Sequence, residues 1–71
     1  MSNYYITIAL YSEPNFQGNC SLYYYGGKSG KKIILTGRAN KKLYVNKKAA
    51  IQMQLTLATL YKNAVVEVQE Q

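Results

Sequence analysis

Residues 4–18, Tyr-Tyr-Ile-Thr-Ile-Ala-Leu-Tyr-Ser-Glu-Pro-Asn-Phe-Gln-Gly, constrain this chain more than any other stretch. The first half alternates. Tyr4, Ile6, Ile8 and Leu10 fall on one side; Tyr5, Thr7, Ala9 and Tyr11 fall on the other. Period two with β-branched and aromatic residues marks a strand. The second half marks a turn. Pro14 fixes one φ angle, Asn15 tolerates a left-handed backbone, and Gly18 supplies positive φ without a steric penalty. Phe16 lies inside that turn, so its ring must fold back onto something to leave water. Strand plus turn predicts a hairpin.

The remaining chain repeats the strand pattern. Cys20, Leu22 and Tyr24 alternate with Ser21, Tyr23 and Tyr25, which predicts a second strand antiparallel to the first. Gly26-Gly27-Lys28-Ser29-Gly30 reads as a flexible break. An apolar strand is predicted over 32–36, a turn over 37–40 and a short strand over 42–46. Ile51, Met53, Leu55 and Leu57 then alternate with Gln52, Gln54 and Thr56, and a strand is predicted there. Helix is the competing reading, because Ala, Gln, Met and Leu are good helix formers. After a turn over 61–63, Ala64, Val66 and Val68 alternate with Val65, Glu67 and Gln69 in a last strand. About six short strands predict an all-β domain over 1–71: a small antiparallel β-sandwich or barrel, Greek-key-like.

The spacing Tyr11-x4-Phe16-x-Gly18, within Leu-Tyr-Ser-Glu-Pro-Asn-Phe-Gln-Gly-Asn-Cys, resembles the hairpin that opens a βγ-crystallin Greek-key motif. The likeness covers about residues 6–22. A weaker echo, Asn63-Ala-Val-Val-Glu-Val, resembles that family's closing strand. In the family the aromatic packs over the hairpin and the glycine permits the fold-back. The resemblance therefore implies structural roles for Tyr11, Phe16 and Gly18. It also implies binding or structural work, since few members are enzymes. The family's calcium signature, two Asn/Asp residues, two spacers and Ser/Thr-Ser, is absent, so calcium is not expected.

The residue inventory narrows the chemistry. The chain has 71 residues, one cysteine, no histidine and no aspartate, and its acids are Glu13, Glu67 and Glu70. No intrachain disulfide, no His/Cys zinc site and no Ser–His–Asp or Cys–His pair can be assembled. No enzyme, metal or cofactor is expected. Cys20 is expected to be a small buried hydrophobe. No stretch approaches the ~20 apolar residues of a membrane span. The start carries no signal-peptide pattern, and a single thiol fits the cytosol; a mature secreted form is the alternative.

Charge supplies the partner reading. The net charge is +6, with eight of nine cations between 28 and 48 and no acid between Glu13 and Glu67. Lys28, Lys31, Lys32, Arg38, Lys41, Lys42, Lys47 and Lys48 are the candidate contacts for an acidic partner. Tyr5, Tyr23 and Tyr25 are the candidate aromatic contacts, expected on one sheet surface. The bland readings stand beside these: lysines at strand ends block edge-to-edge aggregation, and strand tyrosines are usually half-buried packing residues. The expected function is a non-enzymatic binding module with a protein partner, an inhibitor or toxin-like effector. A basic nucleic-acid-binding β-barrel is the alternative, and a structural self-associating β-protein the third. Open edges in a small apolar chain also predict a homodimer.

Overall fold

The computed structural model describes residues 2–71. Its elements are β1 (Tyr4–Glu13), β2 (Gln17–Ser29), β3 (Lys32–Thr36), a 3-10 turn (Arg38–Asn40), α1 (Lys47–Leu60) and β4 (Ala64–Glu70). The strands form one antiparallel sheet in the order β3-β2-β1-β4. The helix lies on one face, packed on β4 and β1. The chain is thus mostly β and antiparallel, as the alternation implies. The six-stranded sandwich or barrel is not what forms. Four strands make one sheet, and its second layer is a helix.

The opening hairpin forms where the sequence places it. Asn15 and Phe16 both have positive φ, 63° and 59°, the backbone signature of a primed hairpin turn. The Phe16 ring folds back edge-on to Tyr11, with centroids 6.1 Å apart at 74°. Gly18 has φ 81°. The pairing runs Glu13↔Gln17 and then Tyr11↔Cys20, so Gly18 and Asn19 together oppose Ser12. A glycine at positive φ followed by one extra residue is a G1-type bulge. The Ser12 hydroxyl fills it, accepting the Asn19 N–H at 3.0 Å. A Cβ on Gly18 would collide with that hydroxyl.

Residues 51–60 are helix, which corrects the strand expected over Ile51–Leu57. The apolar residues there satisfy two periods at once. Read at period 3.6, Ala50, Met53, Leu57 and Tyr61 fall on one face. Ala50 and Leu57 are fully buried, and Met53 and Tyr61 pack against the core. Ile51 and Leu55, half of the apparent strand stripe, point outward. Local signals agree with helix. Asn46 is the N-cap, its side chain accepting the Lys48 N–H at 2.8 Å. The Thr56 and Thr59 hydroxyls donate back to the Gln52 and Leu55 carbonyls one turn earlier, at 3.1 and 2.9 Å. The Ala, Gln, Met and Leu residues of the run are good helix formers and agree with that burial.

Two further expectations change. The predicted strand over 42–46 shrinks to one bridge, Tyr4↔Tyr44, closed by Tyr4 N–H to Tyr44 O at 2.8 Å and Tyr44 N–H to Tyr4 O at 2.7 Å. The glycine break after Tyr25 is no break. β2 continues through Gly26 and Gly27 with a second register shift, and the chain turns at Gly30-Lys31. Gly26 is needed there because a Cβ would lie 2.8 Å from Thr36 Cγ2. The β1–β2 ladder ends at Thr7↔Tyr24, just before this shift. The 42–44 segment takes over there, with the Lys42 N–H donating to Tyr25 O at 2.8 Å.

The core lies between sheet and helix: Ile6 and Ile8 of β1, Tyr25 of β2, Leu57 of α1, Ala64 and Val66 of β4. Leu10, Ile33, Leu35, Tyr44 and Val68 pack around it. Burial at roughly 25 cal/mol per Å² of apolar surface makes this one layer the main source of stability.

Candidate functional site

The other face of the sheet has no helix over it. Strand alternation and register put Tyr5, Thr7, Ala9 and Tyr11 of β1 on that face. They stand beside Tyr24, Leu22 and Cys20 of β2 and Gln69, Glu67 and Val65 of β4. On β3, Ile33 packs toward the core, so Lys32 and Ile34 face the open side. The centre is apolar. Leu22 is 58% and Ile34 40% exposed. Tyr5 and Tyr24, on the two central strands, stack with ring centroids 5.9 Å apart and planes tilted by 35°. Lys41 Nζ lies 5.3 Å from the Tyr5 ring centroid, a cation–π distance, and donates to the Arg38 carbonyl at 3.3 Å. Among the described residues no cavity opens on this face.

The expected aromatic contacts divide. Tyr5 is on the open face. Tyr23 and Tyr25 are on the helix side, and Tyr25 is only 2% exposed, a core residue. The Gly18 bulge explains the exchange. Counted back from Glu13↔Gln17 with no bulge, Tyr5 would lie opposite Tyr25 and Thr7 opposite Tyr23. The one-residue shift turns β2 over and brings Tyr24 beside Tyr5 instead. Tyr24, Leu22 and Ile34 are therefore functional candidates that composition does not single out. The hairpin register was the signal that could have found them.

Tyr25 has a polar role in the core. Its hydroxyl meets that of Tyr44, whose pKa is pushed up to about 12, by burial first and then by Tyr25. Tyr25 is also raised by burial, an effect the Tyr44 hydrogen bond opposes. Tyr11 is raised as well, chiefly by its hydrogen bond with Cys20, its cross-strand partner. Cys20 is exposed and free, not the buried hydrophobe expected. The β2 face that carries it has no layer above it.

The cations are spread rather than gathered. Lys28, Lys31 and Lys32 are at the β2–β3 hairpin tip, and Arg38 is past the other end of β3. Lys41 crosses the open face, and Lys42 Nζ lies 5.5 Å from the Tyr44 ring centroid. Lys47 and Lys48 begin α1, where the helix dipole disfavours positive charge. Among the described residues no group of three His, Cys, Asp or Glu side chains could hold a metal ion. No helix of the described residues is long and apolar enough to cross a membrane. Comparison with family models, curated proteins and solved structures finds no match to this chain.

Proposed function

We propose that this protein is a non-enzymatic binding module that docks a protein partner on the uncovered sheet face. The observation that carries this reading is the Tyr5–Tyr24 pair at the centre of that face, with Leu22 and Ile34 exposed around it. Aromatic residues on a partly apolar patch are what protein interfaces enrich at their centres. Lys32 and Lys41 outnumber Glu67 on the same face, so the partner's matching chemistry is an apolar patch with mainly acidic residues at its rim. The scaffold reading stays confined to the opening hairpin. The Phe16 fold-back on Tyr11 and the positive φ of Gly18 support a βγ-crystallin-like hairpin over about residues 6–22.

A second reading rests on one contact. Lys41 over the Tyr5 ring, beside Tyr24, is also a platform on which single-stranded bases stack. A pull-down from nuclease-treated lysate, with wild type and a Tyr24→Ala/Leu22→Thr variant, separates the two. The protein reading expects nuclease-resistant capture that the variant loses while keeping its fold. Capture that nuclease abolishes, together with binding of labelled single-stranded DNA at low salt, would replace it with the nucleic-acid reading.

A further inference from the structure

The two edges of the sheet are chemically opposite, and we infer that copies of this chain join head to tail, the β4 edge of one against the β3 edge of the next. β4 is an edge strand. Its ladder with β1 is bracketed by Tyr11 N–H to Asn63 O at 3.0 Å and Gln71 N–H to Asn3 O at 2.8 Å. Odd-numbered residues of β4 thus bond β1, and the N–H and C=O groups of Ala64, Val66, Val68 and Glu70 point to the free edge. Two of these groups are occupied. Gln54 of α1 donates to the Val66 carbonyl at 2.8 Å, and the Ala64 N–H reaches Tyr61 O at 3.3 Å. Past Val66 the outward row runs on through Val68 and Glu70, open to another strand.

Direction and charge select the partner. Every neighbouring pair in the sheet is antiparallel, so edge strands β3 and β4 run in opposite directions. A second copy shifted sideways sets its β3 antiparallel to the first copy's β4, with both helices on one side of a continuous sheet. The β4 edge carries Glu67 and Glu70, two of the three acids in the chain; the β3 edge carries Lys31 and Lys32. Head-to-tail contact pairs these charges. A two-fold contact of β4 with β4, or β3 with β3, sets like charges together.

An apolar overhang lies on the same side. At 100° per residue, Gln54 borders the core-facing side of α1, and Ala58, Ile51 and Leu55 follow farther round in that direction. Gln54 reaches the outer edge of β4, so this stripe lies above that edge. Ile51 is 37% and Leu55 62% exposed. A neighbouring β3 would bring Ile33 and Leu35, its helix-side residues, beneath them.

Sedimentation equilibrium of the full chain over a concentration series tests the join. The expected result is a mass above that of one chain, rising with concentration or levelling at a closed ring. Glu67→Lys/Glu70→Lys and Lys31→Glu/Lys32→Glu should each sediment as monomers with the circular dichroism of wild type. An equimolar mixture should regain association, because each reversed edge then finds its opposite. The milder Glu67→Gln/Glu70→Gln should reduce association less than the reversal does. A wild type that stays monomeric, a Lys31→Glu/Lys32→Glu variant of unchanged mass, or a mixture of folded variants that fails to associate overturns the join. The protein-docking reading of the open face stands or falls separately.

Discussion

The two faces of this sheet are nearly matched in their strands and differ in what lies above them. On the helix side, Ile6, Ile8, Tyr25, Ala64 and Val66 are buried beneath Leu57. On the other side, Tyr5, Ala9, Leu22, Tyr24, Ile34 and Val65 have no such layer, and Leu22 and Ile34 are plainly exposed. Hydrophobicity along the strands does not tell the covered face from the open one. The helix does, by taking water from one face and leaving the other available. Residues of the same type therefore stand in different surroundings on the two sides, and substitution can tell the two apart.

The largest effect is expected where helix and sheet meet. Leu57 is fully buried against both. Leu57→Ala should cost about 2–5 kcal/mol, because it removes buried methyls and leaves a cavity. Small domains have little more than that in reserve. Chemical denaturation measures it, and a midpoint near wild type would show that the helix layer does not carry the core.

Gly18 comes next, because it sets which face each β2 residue joins. Valine there meets both a positive φ and the Ser12 hydroxyl. Gly18→Val should cost about 1–3 kcal/mol through backbone strain. If the bulge is instead squeezed out, β2 slips by one residue and Tyr24 leaves Tyr5. The Tyr5–Tyr24 contact, read by ring-proton NOEs, reports the slip. A variant with an unchanged melt and unchanged NOEs would reduce Gly18 to an ordinary loop residue.

The covered face should also respond to alkali. Tyr44 ionises at about 12 in the folded chain, against an ordinary value of 10.0. Between these values the unfolded chain has lost the proton and the folded chain keeps it, so stability falls as pH rises. The contribution is intact below pH 10 and lost as pH climbs through about 12. Thermal melts from pH 9 to 11.5 should show a decline that Tyr44→Phe makes shallower. Equal slopes in the two proteins would show that the Tyr44 hydroxyl does not carry the effect.

Much of the sheet was legible because strands advertise themselves locally. The alternation of β1 and β4 and the span of β3 required only period two and turn residues. The helix was not legible in the same way, since the apolar positions of 51–57 fit both periods and only burial of Ala50, Met53, Leu57 and Tyr61 chooses between them. The open face was half legible. Tyr5 could be placed from β1 alone. Its neighbour depended on a single bulge at Gly18, and one residue of register exchanges Tyr23 and Tyr25 for Tyr24. A site made of cross-strand neighbours inherits every error in register, whereas a core residue inherits only errors in its own strand.

The smallest stability effect, and the sharpest contrast, is expected from Leu22. It stands on a central strand, yet 58% of it is exposed. Leu22→Thr keeps a residue that suits a strand while removing the apolar surface that points from the face. With no layer above it to lose contact, stability should change by no more than about 0.5 kcal/mol, as at other surface positions. Binding should not be spared. Truncating a side chain that anchors the centre of an interface costs more than ~1 kcal/mol, about a factor of five or more in affinity. Once a partner is in hand, calorimetric titration beside a denaturation curve gives both numbers for one variant. Weakened binding with an unmoved denaturation midpoint is the signature of a face kept bare for contact. A lowered midpoint with unchanged affinity would mean that Leu22 serves the fold and that the partner docks elsewhere.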